Sequence, residues 1–154
     1  MAIEEGSVVI AAILTVRARM PRMSRTVITF GTFDVFHVGH LRVIERAAAL
    51  GDRLVVGVSA DELNLRKKGR EPVFSQAERL AIVAALKPVD QVFVEESLEL
   101  KRQYILEYGA DVLVMGDDWA GRFDEFGDIC EVVYLPRTPA ISTTALIEKI
   151  SGGS

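Results

Sequence analysis

From Thr26 onward, short apolar segments alternate with segments of helical periodicity. The five strand-like segments are 26–30, 53–59, 90–94, 111–115 and 131–135. Helical patterns lie at 41–50, 75–86, 98–108 and about 142–150. Short connections between such units favour parallel strand pairing and right-handed crossovers. The sequence therefore predicts an α/β fold, with a parallel five-stranded sheet and helices on both faces.

One domain accounts for this pattern. At 154 residues and 49% hydrophobic content, the chain can bury one full core. We place the domain at residues 26–150, after an N-terminal extension of uncertain structure at 1–25 and before a flexible tail at 151–154.

The extension contains an apolar run, Val8–Val16, which is far shorter than a membrane span. Glu4 and Glu5 precede it where a signal peptide would carry positive charge. We expect neither an anchor nor a signal. The segment is an extra helix or strand, or the functional start is Met20 or Met23.

Charge and cysteine content restrict the partners. A net charge of -4 and a pI near 5.3 argue against a general binder of nucleic acid or of anionic membranes. Cys130 is the only cysteine, so the chain has no intramolecular disulfide and no cysteine-cluster metal site. We expect a cytoplasmic protein with small-molecule partners.

Both histidines of the chain, His37 and His40, lie in Gly31–Leu41, between a strand pattern and a helix pattern. Helix N-termini present unpaired N–H groups and partial positive charge, which suit phosphate. Two imidazoles there can donate hydrogen bonds to a phosphoryl group under attack. The alternative is that the histidines are a helix cap and a packed polar residue.

Three further clusters follow strand ends. A loop at 66–70 carries four cationic side chains in five residues. It is either a mobile clamp that binds a triphosphate or a stretch of solvent-exposed charges. Asp117 and Asp118 could bind ribose hydroxyls or a base amino group, or form a turn. Arg137 precedes the hydroxyl-rich 142–144, which is a helix cap or a second anion site.

The motifs resemble those of a known family. Gly-Thr-Phe-Asp-Val-Phe-His-Val-Gly-His at 31–40 is similar to the signature of cytidylyltransferases, in the HxGH nucleotidyltransferase superfamily. Gly-Asp-Asp-Trp at 116–119 and Val-Val-Tyr-Leu-Pro-Arg-Thr at 132–138, followed by Ile-Ser-Thr-Thr at 141–144, look most like its glycerol-3-phosphate branch. The resemblance covers about residues 26–150. It implies a Rossmann-like domain in a homodimer.

The activity implied by the resemblance is transfer of CMP from CTP to sn-glycerol 3-phosphate, giving CDP-glycerol and pyrophosphate. A divalent cation such as Mg²⁺ would bind mainly through the CTP phosphates, with no protein ligand assigned. The catalytic residues would be His37, His40, Lys67 and Arg137, and Lys67 and Lys101 would contact the acceptor phosphate. The nucleotide contacts would be Thr32, Phe33, His37, Val38, Gly39, His40, Arg70, Asp118, Arg137, Thr138, Pro139, Ala140, Ile141, Ser142, Thr143 and Thr144.

This chain departs from the family pattern at three places. Val38 replaces an aromatic residue that is frequent between the signature histidines. Pro139 and Ala140 replace a usual Glu-Gly and stiffen that loop. The second loop lysine falls near Gly69, with Arg70 as its substitute after a one-residue insertion.

The implied reaction is an in-line displacement at the α-phosphorus of CTP. The acceptor phosphate is already anionic, so positioning and charge stabilisation replace a general base. Competing enzyme functions are cytidylyl transfer to phosphocholine or phosphoethanolamine, and adenylyl transfer to flavin mononucleotide or a sugar phosphate. A nucleotide-binding regulatory module is the non-enzyme alternative, disfavoured because every catalytic position holds a competent residue.

Overall fold

The computed structural model describes residues 24–137 and 142–152. Its strands are β1 (Thr26–Gly31), β2 (Arg53–Ser59), β3 (Gln91–Glu95), β4 (Val112–Gly116) and β5 (Glu131–Leu135). They form one sheet in the order β3-β2-β1-β4-β5, and every adjacent pair is parallel. The predicted five-stranded parallel sheet is confirmed. Nearly all of the 1–25 extension lies outside the described residues.

The helices are α1 (Val38–Ala48), α2 (Asp61–Lys68), α3 (Gln76–Ala84), α4 (Lys101–Glu107) and α5 (Thr143–Gly152). Short 3-10 helices occur at Leu98–Leu100, Asp117–Trp119 and Asp124–Asp128. In the part of the chain that the structure describes, no helix is both long enough and apolar enough to cross a membrane.

Hydrophobic cores lie on both faces of the sheet, because neighbouring residues of a strand point to opposite sides. Val27 of β1 packs in one core with Ile44 of α1 and Val83 of α3. Its neighbour Ile28 packs in the other with Ile105 of α4. The single domain is therefore a three-layer α/β structure, with helices on both faces as predicted.

The strand order also determines where a ligand can bind. From β1 the chain moves outward through β2 to β3, and then returns to the other side of β1 with β4. Parallel sheets bind ligands outside the carboxyl ends of the strands at such a reversal. The segments after β1 and β4 therefore flank the expected site.

One prediction about local structure was wrong. The basic cluster at 66–70 was predicted as a loop, but Arg66, Lys67 and Lys68 form the last turn of α2, which ends at Gly69 with φ 75°. Asp61 and Glu62 begin this helix. Negative side chains therefore lie at the positive end of the helix dipole and positive side chains at its negative end, which stabilises the helix. The basic side chains therefore extend from an ordered helix end.

Several helix boundaries also differ from the prediction. Helix α1 begins at Val38, three residues before the predicted start, so Gly39 and His40 lie in its first turn. Helix α5 continues to Gly152, past the predicted helix end at about 150.

Candidate active site

The two histidines cap the N-terminus of α1 through a reciprocal pair of hydrogen bonds. Nδ1 of His37 accepts the backbone N–H of Gly39 at 3.0 Å, and Nδ1 of His40 accepts the backbone N–H of His37 at 3.2 Å. A backbone N–H can only donate, so neither Nδ1 carries a proton. In the neutral imidazoles the proton is therefore on Nε2. The cap sets the tautomer that a phosphate-binding histidine needs.

Both Nε2 atoms converge on one hydroxyl group. Thr143 Oγ1 lies 3.3 Å from His37 Nε2 and 3.4 Å from His40 Nε2, and it donates to the carbonyl of Asp34 at 3.2 Å. The imidazole rings stack with centroids 3.9 Å apart. Two N–H donors thus point at one position from a helix N-terminus. An oxyanion placed there would accept both.

The histidines are held neutral in the free protein. The pKa of His40 is lowered to about 4, chiefly by burial and also by the proximity of His37, while Asp34 opposes the shift. Burial also lowers the pKa of His37. At neutral pH both rings therefore act as hydrogen-bond donors without a positive charge.

The turn between β1 and α1 has a strained backbone. Phe33 and Val35 have φ of 55° and 48°, values that are uncommon for residues with a side chain. A Cβ at Gly31 would lie 2.9 Å from the ring of Phe33, so glycine is needed for the ring to fold over this residue. Strain of this kind concentrates at functional sites.

Asp34 ties this turn to the segment before α3. Its buried carboxylate accepts the backbone N–H groups of Val73 at 2.7 Å and Phe74 at 2.9 Å. Residues 70–73 and the histidine turn thereby line one cleft.

Arg79 of α3 forms a second, fully buried connection. It pairs with Asp61 at 2.7 Å, and its guanidinium donates to the carbonyls of Thr32, Ser59 and Phe74. The ends of β1 and β2 are thereby held in a fixed relation. Sequence reasoning singled out neither Asp34 nor Arg79, because both act on backbone groups distant in the chain.

A second group of charges lies across the cleft. Lys101 Nζ donates to Glu95 Oε2 at 2.5 Å, and these side chains are 2% and 1% exposed. Burial lowers the pKa of Lys67, in the last turn of α2, and the charge of the same carboxylate opposes this shift. Glu95 was missed at the sequence level. Its position at the carboxyl end of β3 was the available signal.

Asp118 lies in the 3-10 helix that follows β4. A Cβ at Gly116 would lie 2.7 Å from Asp118 Oδ1, so the glycine leaves space for this carboxylate to fold back toward the strand end. Trp119 follows it and packs against Phe123, with ring centroids 5.4 Å apart. Arg137 lies two residues after the end of β5 and is exposed.

These groups line one open cleft of about 560 Å³ at the carboxyl end of the sheet, a volume typical of small-molecule sites. Of the predicted residues, the cleft lining includes Thr32, Phe33, His37, Gly39, His40, Lys67, Arg70, Lys101, Asp118, Arg137, Ser142, Thr143 and Thr144. Val38 is 44% exposed and is not part of the lining. The predicted contacts at Thr138, Pro139, Ala140 and Ile141 lie outside the described residues.

Within residues 24–137 and 142–152, no three histidine, cysteine or carboxylate side chains are grouped to hold a metal ion. The acidic side chains of the cleft lining are Asp34, Glu71, Glu95 and Asp118. Such a donor set fits a cation that is bound chiefly by the phosphates of a nucleotide, as Mg²⁺ commonly is.

Comparison with known proteins agrees with this geometry. Residues 28–149 match the family described as Cytidylyltransferase-like. A glycerol-3-phosphate cytidylyltransferase of Bacillus subtilis strain 168 is 50% identical over 83% of this chain and 98% of its own. The one of Staphylococcus aureus is 38% identical over 83% and 96%. The crystal structure of the lipopolysaccharide core biosynthesis protein from Thermoplasma volcanium GSS1 matches with a TM-score of 0.64 and 25% identity, over 75% of this chain and 98% of that one.

Proposed function

This chain belongs to the cytidylyltransferase-like family, and we propose that it transfers CMP from CTP to sn-glycerol 3-phosphate. The protein is a nucleotidyltransferase that forms CDP-glycerol and releases pyrophosphate. One observation carries the proposal: two Nε2–H donors at the start of α1 and two lysines near Glu95 line the same cleft. The relatives described as glycerol-3-phosphate cytidylyltransferases support the choice of acceptor.

The reaction is a displacement at the α-phosphorus of CTP. An oxygen of the acceptor phosphate forms the new bond to phosphorus, and the bond to the β-phosphate oxygen breaks. The electron pair leaves with pyrophosphate. Because the attacking oxygen is already anionic, no side chain has to remove a proton. Catalysis then consists of alignment and stabilisation of the charge that develops on the α-phosphate.

His37 and His40 provide that stabilisation through their Nε2–H groups. The cap at α1 fixes both rings before substrate arrives, so no reorganisation is needed during the reaction. In the free protein Thr143 accepts these two donors, and an α-phosphate oxygen would take over that role in the complex. The donors lie at the positive end of a helix, which adds to the attraction for phosphate.

The remaining groups hold the two substrates at opposite sides of the α-phosphate. Arg137 and the first turn of α5, which line the cleft, are assigned to the nucleotide phosphates, and Asp118 to the ribose or the base amino group. Lys67 and Lys101 are assigned to the acceptor phosphate. Mg²⁺ bound to the CTP phosphates would neutralise charge on the leaving pyrophosphate.

We further propose that the protein is a homodimer of the cytoplasm, following the family resemblance. Size-exclusion chromatography with light scattering tests the assembly. A monomer at micromolar concentration would contradict it.

The activity is tested by identifying the product. The protein is incubated with CTP, Mg²⁺ and either glycerol 3-phosphate, phosphocholine, phosphoethanolamine, flavin mononucleotide or a sugar phosphate, and the reaction is followed by phosphorus NMR. We expect the diphosphate signals of CDP-glycerol and equimolar pyrophosphate with glycerol 3-phosphate. Tight CTP binding without product for any acceptor would favour a regulatory module instead.

A further inference from the structure

We propose that Glu95 is a positioning residue that holds Lys101 as a fixed cationic group at the acceptor end of the cleft. The inference rests on the proposed function, because it assigns a role toward the phosphate of the acceptor. Glu95 itself would not contact the acceptor. It would act through Lys101 and, by its charge, through Lys67.

The contacts of Lys101 leave it dependent on this carboxylate. Its Nζ lies 4.0 Å from the ring centroid of Phe30 and 5.3 Å from that of Phe123. Glu95 Oε2 accepts from it at 2.5 Å, and Oε1 accepts the hydroxyl of Ser59 at 3.3 Å. The carboxylate is thus held at the end of β2, and the ammonium is held by the carboxylate.

Removal from water disfavours the charged form of a lysine. Burial lowers the pKa of Lys101, and Glu95 raises it again through charge and a hydrogen bond. Among the described residues, the charged groups facing this ammonium are Glu95 from β3 and Lys67 from α2, while β1 and the segment before Asp124 present aromatic rings. Without Glu95, the surroundings of Lys101 would favour the neutral amine.

The formal charges of Glu95, Lys67 and Lys101 suit this cluster to bind an anion. One carboxylate faces two ammonium groups, so the cluster keeps a net positive charge beside the open cleft. A buried ion pair is by itself weak support for stability, since an apolar pair of similar size often serves as well. Two lysines around one carboxylate instead form a preset site for a phosphate that binds both.

The test replaces the carboxylate by its neutral isostere. In Glu95→Gln, the NMR titration of the Lys101 side chain in the free protein should move at least about one pH unit lower, since a nearby opposite charge shifts a pKa by about 1–3 units. The alkaline limb of kcat/KM for glycerol 3-phosphate should move down with it. CTP affinity should change by less than about threefold, which is under 1 kcal/mol. Glu96→Gln, the same change at the exposed next residue, should alter none of these.

An unchanged Lys101 titration in a folded Glu95→Gln protein would overturn the inference, whatever the substrate. Failure of the wild-type protein to use glycerol 3-phosphate would contradict the proposed function instead, and the titration would still decide the role of Glu95. If Glu95→Gln does not fold, Glu95→Asp keeps the charge but withdraws the carboxylate from Lys101 by one methylene group. Retained CTP binding with at least about tenfold weaker acceptor use would then support the inference, and wild-type acceptor use would overturn it.

Discussion

The backbone N–H of His37 donates to Nδ1 of His40 at 3.2 Å, and this one contact links the fold to the chemistry. It starts α1, fixes the ring of His40 and keeps the proton of that ring on Nε2. The sequence had suggested two alternatives for the histidines, a helix cap or a phosphate-binding pair. The geometry shows that the cap is present and that it orients both donors into the cleft.

Loss of the Nε2–H donor should reduce turnover while the helix cap remains. Glutamine is a natural partner at this position of a capping box, so His40→Gln can still accept the N–H of His37. We expect turnover to fall by about 10²-fold or more, the usual cost of removing one preorganised donor. Steady-state kinetics with a thermal melt as the folding control measures this. Turnover above about a third of wild type, a difference under 1 kcal/mol, would remove His40 from the mechanism.

Stability should fall as the pH drops below 6.5, partly because of His40. The pKa of His40 is about 4 in the folded protein and 6.5 ordinarily, so between these values the unfolded chain binds more protons. The contribution is complete above pH 6.5 and is lost progressively toward pH 4. Urea unfolding of wild type and His40→Gln at several pH values isolates it. If the free energies of unfolding of the two proteins change in parallel with pH between 6.5 and 4, the pKa of His40 is not lowered in the folded protein.

Lys67 and Lys68 are adjacent in the last turn of α2 and provide a matched comparison. Lys67 interacts with Glu95 and Lys101 and is assigned to the acceptor. Lys67→Ala should raise the KM for glycerol 3-phosphate by at least about tenfold, as expected for a charge-assisted contact of 1.5–3 kcal/mol. CTP binding, measured by calorimetry, should change little. We expect Lys68→Ala to raise the KM for glycerol 3-phosphate less than Lys67→Ala does. Equal increases in both variants would show that Lys67 contributes only general electrostatic attraction and no specific contact.

Local sequence patterns were sufficient for the sheet. Arg53–Ser59 was predicted as a strand with the observed bounds, and the strand at Glu131–Leu135 likewise. Buried parallel strands are continuous apolar runs bounded by turns, so their signal is local. The histidine pair could be located for the same reason, because it lies where a strand pattern changes to a helix pattern.

Features that depend on distant contacts could not be predicted in this way. Helix α2 is short and highly charged, and it buries only Leu63 and Asn64, so it has no apolar periodicity. Glu95 and Lys101 are separated by a turn and a 3-10 helix, so their spacing in the sequence does not predict that they pair. Asp34 contacts backbone groups about 40 residues later. Such contacts follow from the strand order and not from local propensity.

Base selectivity most directly distinguishes a cytidylyltransferase from other nucleotidyltransferases. Initial rates of pyrophosphate release are compared for CTP, UTP and ATP with glycerol 3-phosphate and Mg²⁺. A site that pairs a buried acceptor with the amino group of cytosine rejects a base without that donor, and purines are excluded by size. We predict that CTP is preferred by at least about 10²-fold in kcat/KM. Comparable rates with CTP and ATP would contradict the assignment as a cytidylyltransferase.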